Sequence, residues 1–356
     1  MAESEHKYTI GLCRTDGSSL GRIGVDVDWE PVVECARFEG IRQGLLPSCG
    51  GAVDALIEPV WHAQAGEPFI AGLRVTLTPG EGPVVRSEVP LTFFRPYAQE
   101  ATVSLVEQKV LEPGEHFEYY VVAMACEPQP AAEAAAGGIS VETVRPALEL
   151  RPGVLSEYLE RSEPDGPEGA GEVPVFIPGH VLSEAAALTE QAGSFETGGL
   201  LVGHLRHDAA VRELFVEVTC QVPAEHTRSD LTHLTFTPDT WSAGRSAIAL
   251  RRRGEVIVGW WHSHSYLKET CKGCDKKDDG SCKASATFFS AEDCAMHRLC
   301  FPAAHSVGLV LADSPCTGMT RALFGWRTGQ IVSRGFQVLC EAGDRSAQEA
   351  GCNAAE

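Results

Sequence analysis

The sequence contains no hydrophobic run long enough to cross a membrane, and its N-terminus lacks the basic and apolar regions of a signal peptide. It also lacks an excess of basic residues, because 49 acidic side chains outnumber 29 basic ones for a formal net charge of −20. These absences predict a cytoplasmic protein that does not associate with membranes. They also disfavour nucleic-acid binding, which needs basic residues to neutralise phosphates.

The acidity is concentrated in the first half of the chain. Residues 1–172 hold 28 acidic and 12 basic side chains, whereas residues 173–340 hold 17 and 16. At 356 residues the chain has room for two domains, each with its own core. Thirteen cysteines without an export signal predict a reducing compartment, in which they serve as thiols or metal ligands rather than as disulfides.

Composition and turn signals divide the chain into four parts. Residues 1–126 predict an α+β or mostly β N-terminal domain of unknown role. Residues 127–172 are rich in alanine, glycine, proline and glutamate, which predicts a linker region with a short docking segment. Residues 173–340 alternate between helix and strand patterns and predict an α/β domain, and residues 341–356 predict a flexible tail.

Within the N-terminal part, apolar spacing predicts a helix from Glu30 to Leu45. Alternating and β-branched residues predict strands over 69–77, 101–106 and 117–122. The cysteines of this part show no metal-binding spacing and are interpreted as buried apolar residues.

The most informative stretch is Val256–His264, an apolar run of strand length that ends in two histidines. Because side chains alternate faces along a strand, His262 and His264 point the same way, as two ligands of one zinc ion must. Two imidazoles on one face beside buried tryptophans also need polar partners. The other histidines, such as His297 and His305, stand alone in the sequence and are interpreted as surface or core residues.

Two further segments supply carboxylates. Ser290-Ala-Glu-Asp293 offers one at the start of a predicted helix, where Ser290 is expected to cap the amide of Asp293. Glu196 stands at the mouth of an apolar strand bounded by glycines. Taken alone, a glutamate at a strand start is usually exposed and an S-x-x-D is usually only a helix cap, so their meaning depends on the histidine pair.

Taken together, Glu196, the His262-Ser-His264 strand and the Ser290-x-x-Asp293 helix start resemble the JAMM motif of the JAB/MPN family of zinc metalloproteases. The resemblance covers roughly residues 173–340. It implies an MPN, cytidine deaminase-like α/β sandwich for these residues. A JAB/MPN metalloprotease domain preceded by the N-terminal α+β or mostly β domain is therefore the predicted architecture.

The resemblance also assigns a role to each residue of the motif. His262, His264 and Asp293 would bind one catalytic Zn²⁺ and leave the fourth position for water. Glu196 would act as the general base that takes the proton of this water and later delivers it to the leaving amine. The hydroxyl of Ser290 would help to stabilise the oxyanion of the tetrahedral intermediate.

These roles imply an isopeptidase or peptidase that cleaves after the C-terminus of ubiquitin or a ubiquitin-like protein, in deconjugation or in precursor processing. Its partners would be that protein and its conjugates, with E1-like and E2-like enzymes as further candidates. The family resemblance leaves two alternatives open. One is a non-catalytic MPN scaffold, and the other is a zinc hydrolase acting on a sulfur-carrier protein or a small peptide conjugate.

The sequence departs from the family pattern after the two histidines. Ser265 replaces the usual proline, and the short gap before Ser290 has grown to the 25 residues of 265–289. This insertion contains Cys271-Lys-Gly-Cys274, a spacing typical of structural zinc sites. A second, structural Zn²⁺ is therefore predicted, with the following ligands: Cys271, Cys274, Cys282, and Cys294 or Cys300. The alternative is a lysine- and aspartate-rich loop with free thiols.

The position of the insertion beside the histidine strand suggests a second role. In eukaryotic members of the family, insertions near this motif help to hold the extended C-terminal tail of the substrate. A zinc-bound loop over the catalytic metal would do the same through an added strand contact.

Overall fold

The computed structural model describes most of the chain, and the described residues fall into nine ranges. They are 3–49, 53–126, 147–167, 169, 171–224, 228–230, 233–264, 287–314 and 318–340. Their contacts divide the chain into two compact units, Met1–Ala147 with Thr328–Gln330, and Leu148–Arg327 with Ile331–Glu356. Residues 127–146 of the predicted linker region, the cysteine-rich part of the insertion and the predicted tail lie outside the described residues.

The first unit combines helices with small, mainly antiparallel sheets. Its described elements are β1 (Glu3–Ser4), β2 (His6–Arg14), β3 (Ser19–Val25), α1 (Glu30–Arg42), β4 (Val53–Trp61), β5 (Ile70–Pro79), β6 (Val85–Pro90), a 3₁₀ turn (Leu91–Phe94), α2 (Arg95–Glu107) and β7 (Phe117–Ala125). One sheet has the order β1-β4-β5-β6 and the other the order β3-β2-β7. The coarse prediction of a strand-rich N-terminal part is confirmed.

The strand predicted over 101–106 is wrong, because these residues form the second half of α2. Pro96 lies in the first turn of this helix, where the lack of an amide hydrogen costs nothing. Along 101–106 exposure changes in pairs, with two half-buried, two exposed and two half-buried residues. That is the period of a helix rather than of a strand, and it prevails over the strand preference of the valines and the threonine.

The second unit is built on one large, curled mixed sheet that forms a half-barrel. Its described elements are β8 (Leu150–Pro152), α3 (Leu155–Leu159), β9 (Ser162–Asp165), β10 (Val175–Pro178), α4 (Gly179–Ala192), β11 (Gly198–Asp208), β12 (Glu213–Pro223), β13 (Arg228–Asp230), β14 (His233–Thr235), α5 (Pro238–Arg251), β15 (Val256–His264), α6 (Ala291–Cys300), β16 (Val307–Ser314), β17 (Gly318–Arg327), β18 (Gln330–Arg334) and β19 (Phe336–Leu339). The order in the sheet is β18-β17-β16-β15-β11-β12-β10-β19-β9, with β8 against β11. No described helix of either unit is long and apolar enough to span a membrane.

The second unit begins earlier than the sequence predicts. Strand β8 pairs in parallel with β11, and β9 pairs antiparallel with β19, so both belong to the large sheet. Between them, Tyr158 of α3 packs into an aromatic cluster with Phe176, Phe215 and Leu339. Residues 148–165, which the sequence places in the linker region, are therefore part of this core.

Strand β15 lies inside the sheet and carries the two histidines at its end. It pairs antiparallel with β11 on one side and in parallel with β16 on the other. Trp260 and Trp261 in its centre are fully buried. Gly259 lies opposite Val307 of β16, whose carbonyl oxygen occupies the space that a Cβ atom would need. Only glycine allows the two backbones to approach this closely.

Candidate metal centre

Two buried histidines and a half-buried aspartate converge where β15 ends and α6 begins. His262 and His264 project from the same face of β15, and Asp293 reaches them from the first turn of α6. The two Nε2 atoms lie 3.1 Å apart, with Asp293 Oδ1 at 3.1 Å from His262 Nε2 and Oδ2 at 3.5 Å from His264 Nε2. The three residues form a candidate buried metal site, as the spacing of the two histidines predicts.

The distances within this group fit a bound cation. Ligands at about 2.0–2.2 Å from a tetrahedral zinc ion are separated by roughly 3.3 Å, close to the three separations between these atoms. His262 and His264 are 1% and 3% exposed, and at 3.1 Å their Nε2 atoms are too close for a water molecule to lie between them. Burial lowers the pKa of His262, although the carboxylate of Asp293 opposes this, and a neutral ring presents a lone pair for metal binding.

Asp293 is held in place by the helix start itself. Its amide donates to Ser290 Oγ at 3.0 Å, and its Oδ2 accepts from the amide of Ser290 at 2.7 Å, which completes the capping box expected from the sequence. Burial opposes ionisation of Asp293, but hydrogen bonds from His262 and His264 hold the pKa of its carboxyl group well below its usual range. The carboxylate is therefore fixed, ionised and available as a ligand.

Glu196 lies two residues before β11 and is buried, with 6% of its surface exposed. Its neighbour Thr197 is bound to the histidine strand twice: Ser263 donates its amide to the Thr197 carbonyl at 2.8 Å, and Thr197 donates its amide to Ser263 Oγ at 3.0 Å. Burial, followed by the charge of Asp293, raises the pKa of Glu196 to about 8. Glu196 is thus a buried carboxyl group within electrostatic range of the candidate metal site.

Aromatic rings enclose the two histidines. Trp260 stacks on His262 with ring centroids 4.5 Å apart and an interplanar angle of 11°. Phe289 packs edge-on against the same ring at 5.9 Å, and Phe288, which is 37% exposed, lies 4.8 Å from the ring of His264. Such walls exclude water and strengthen electrostatic interactions inside the site.

His297 is a buried residue of this region for which the sequence interpretation assigns no role. It lies one turn after Asp293 on α6, is fully buried, and accepts a hydrogen bond of 2.9 Å at Nδ1 from Trp260 Nε1. Burial lowers its pKa to about 3, so the ring is neutral at neutral pH. The signal for it in the sequence is the i, i+4 spacing from Asp293, which sets both side chains on one face of a helix.

The cysteine site stays a prediction. Cys271, Cys274 and Cys282 lie outside the described residues. Cys294 and Cys300 are free, half-buried thiols on α6, and burial raises the pKa of both. Cys300 packs against the apolar cluster around Trp260, whereas Cys294 directly follows the candidate ligand Asp293.

Comparison with known proteins assigns no family. No protein-family model matches the sequence, and no curated protein matches it. Among solved structures, the solution structure of protein DSY2949 from Desulfitobacterium hafniense matches with 20% sequence identity and a TM-score of 0.33, over 48% of this chain and 96% of that chain. Since this likeness is too distant to support an argument, the function is inferred from the side chains of the site.

Proposed function

We propose that this chain is a zinc-dependent isopeptidase or peptidase of the JAB/MPN type, which cleaves after the C-terminus of ubiquitin or a ubiquitin-like protein. The observation that carries the proposal is the convergence of His262, His264 and Asp293 at distances that suit one cation. The buried carboxyl group of Glu196 beside this group supplies the acid–base function that hydrolysis needs. A scaffold that binds no metal does not require these three converging side chains together with the buried carboxyl group of Glu196.

His262, His264 and Asp293 would hold the metal. A zinc ion, when bound there, supplies Lewis acidity that lowers the pKa of a water molecule to about 7 and polarises a carbonyl oxygen. Two histidines and one carboxylate also suit Fe²⁺, so analysis of the purified protein must measure both metals. The proposal requires zinc.

Glu196 performs the proton transfers in the proposed reaction. A cation held by the three ligands would favour the ionised form of Glu196, because a nearby positive charge lowers the pKa of a carboxyl group. A carboxylate oxygen of Glu196 then accepts a proton from the attacking water and donates it to the nitrogen of the leaving amine. The hydroxyl of Ser290 accepts the amide hydrogen of Asp293, and its own hydrogen remains available to the oxyanion that forms at the scissile carbonyl. Ser290 therefore combines the positioning of a ligand with oxyanion stabilisation.

The finer fold assignment follows from the same resemblance. A curled mixed sheet with helices, carrying the motif at the ends of β11 and β15 and at the start of α6, is compatible with an MPN, cytidine deaminase-like sandwich. The substrate class rests on the motif alone. E1-like and E2-like enzymes and the conjugated ubiquitin-like protein are the proposed partners, and the first unit is a candidate for recruiting them.

The decisive experiment separates catalysis from metal binding. Glu196→Gln should retain zinc and lose activity by about 10²–10⁴-fold or more, because the amide can neither accept nor deliver the proton. His264→Ala should lose the metal itself. Zinc and iron content, measured beside cleavage of a ubiquitin-like fusion, separates the two cases. Full activity of Glu196→Gln, or iron in place of zinc, would exclude the proposed mechanism.

The proposed structural zinc site is tested by metal content. With both sites formed, the chain should carry about two zinc ions, and replacing Cys271 and Cys274 by serine should remove one of them. The paired substitution of Cys13 and Cys35 by serine is a matched control, because neither residue belongs to the predicted site. One zinc ion per chain that is insensitive to the Cys271 and Cys274 substitutions would remove the structural site.

A further inference from the structure

We infer that His297 is a positioning residue for the metal centre, which fixes the ring plane of the ligand His262 through Trp260. The inference rests on the proposed zinc function, because its measurable consequence is the affinity for the metal. It extends that function to two residues that contribute no atom to the candidate ligand set.

The first step is the contact between Trp260 and His262. These side chains are two residues apart on one strand and therefore share a face. Their rings are almost parallel, at 11°, with centroids 4.5 Å apart. An imidazole held against an indole in this way cannot rotate unless the indole moves. The plane of Trp260 therefore defines the plane in which the imidazole of His262 lies.

The second step is the hydrogen bond that fixes Trp260. Its Nε1–H donates to His297 Nδ1 at 2.9 Å inside the protein, where no water competes. Trp260 also stacks on Phe301, with ring centroids 5.9 Å apart and an angle of 12°. The indole thus packs against two aromatic neighbours, and a directional bond to His297 sets its rotation against them.

The third step concerns the stability that the folded protein loses by burying a histidine at position 297. Because Nδ1 accepts from Trp260, the ring proton lies on Nε2, which has no hydrogen-bond partner among the described residues. A buried donor without a partner destabilises the folded state, because it loses the hydrogen bond that water gives it in the unfolded chain. An apolar residue would fill the same space, among Phe289, Phe301 and Trp326, without that cost. The acceptor at Nδ1 is therefore what the histidine contributes.

The geometry of α6 completes the argument. Asp293 and His297 lie one turn apart on this helix, and the first is a candidate ligand while the second binds Trp260. One helix therefore positions two of the three ligands, Asp293 directly and His262 through the indole. Movement of α6 would disturb both at once.

The experiment uses the full-length protein and isosteric variants. His297→Leu removes the acceptor, whereas His297→Asn keeps a carbonyl oxygen near the position of Nδ1. We expect His297→Leu to weaken zinc binding about 10-fold, the lower end of the effect of residues that orient metal ligands, and His297→Asn to recover most of this loss. Zinc affinity is measured by competition with a chromogenic chelator. The absorption spectrum of the Co²⁺-substituted protein reports on ligand geometry without any substrate.

Two further variants distinguish positioning from packing. Trp326→Phe removes an indole N–H from the same aromatic cluster, where it donates to the carbonyl of Phe301 at 2.9 Å, and should leave zinc affinity unchanged. Trp260→Phe keeps a ring against His262 but removes the hydrogen bond. In that background His297→Leu should have no further effect on zinc affinity, because the two residues act through one bond.

The outcomes are separable. If the parent protein binds no zinc, the proposed function fails and this inference fails with it. If the parent binds zinc and His297→Leu matches it in affinity and in Co²⁺ spectrum, only the positioning role is excluded. Equal weakening by His297→Leu, His297→Asn and Trp326→Phe would assign the effect to packing and would also exclude positioning.

Discussion

Two groups of polar side chains in the second unit place their buried glutamates in different electrostatic surroundings. In the arginine cluster, formed by Thr219, Arg251 and Glu255, the carboxylate receives two hydrogen bonds from the guanidinium at 2.7 and 2.8 Å and one from Thr219 Oγ1 at 2.5 Å. In the metal cluster, formed by Glu196, His262, His264 and Asp293, carboxylates and imidazoles converge instead. Among the described residues, no lysine or arginine forms an ion pair with Glu196 or Asp293.

The difference is visible in the pKa values of the two glutamates. The hydrogen bonds from Arg251 lower the pKa of Glu255 to about 2, although its side chain is fully buried. Burial, and then the charge of Asp293, raises the pKa of Glu196 to about 8. The arginine cluster contains its own cation, whereas the metal cluster contains side chains that could hold one. The first is therefore a structural ion pair, and the second is a candidate metal site.

Removal of the metal is expected to give the largest effect. With free zinc at about 1,000 times its dissociation constant, binding stabilises the folded state by about 4 kcal/mol, so chelation should lower the melting temperature and added zinc should restore it. Thermal unfolding with and without a chelator measures this shift. Arg251→Leu is the control, because a change in the distant arginine cluster should leave the shift intact. A melting temperature that does not respond to chelation or to zinc would contradict the comparison.

Replacing Arg251, the cation of the arginine cluster, should lower the free energy of unfolding by less than removal of the metal does. Arg251→Leu leaves the carboxylate of Glu255 buried without its partner, which should cost about 2 kcal/mol of the free energy of unfolding. This is less than for a fully buried pair, because the Arg251 side chain is 30% exposed. Urea unfolding measures the loss, and zinc content should not change.

A second substitution tests the cause of that loss. Replacing Glu255 by leucine as well removes the unpaired charge and should recover much of the stability, since apolar residues often substitute for a buried ion pair without cost. If the double variant is less stable than Arg251→Leu, the loss comes from packing rather than from the charge.

The smallest expected effect is a pH dependence of stability. Because folding lowers the pKa of Glu255 from 4.5 to about 2, the folded protein is stabilised above pH 4.5, and this contribution is lost as the pH falls towards 2. We expect on the order of 1–2 kcal/mol after allowing for solvent screening of Arg251. Glu255→Gln should therefore narrow the difference in urea midpoint between pH 5 and pH 3. An unchanged difference would show that other carboxyl groups determine the acid response.

Local signals in the sequence predict the strand and the helix start that carry the metal cluster. They predict less well how these elements come together. The apolar run with H-S-H predicts β15 and the shared face of its histidines, and S-x-x-D predicts the cap that holds Asp293. These features depend on residues only a few positions apart. The burial of Glu196 depends on the pairing of β11 with β15, which no signal within either strand indicates.

The missed features have longer-range causes. Tyr158 belongs to the core because β8 and β9 join the large sheet, and nothing within residues 148–165 indicates their partner strands. His297 gains its role from Trp260, which is 37 residues away. The strand predicted over 101–106 is wrong for a different reason, since these residues continue a helix that begins at Arg95, against the strand preference of their valines and threonine.

Gly259 also restricts the register in which β15 pairs with β16. A shift of β15 by one residue would turn both histidines to the opposite face and bring Trp261 and Ser263 towards α6. The same shift would place Val258 or Trp260 opposite Val307, where only glycine leaves room for the carbonyl oxygen. The shifted register is therefore excluded by a steric clash that does not depend on metal binding. Gly259 thus selects the register of the strand that carries the histidines.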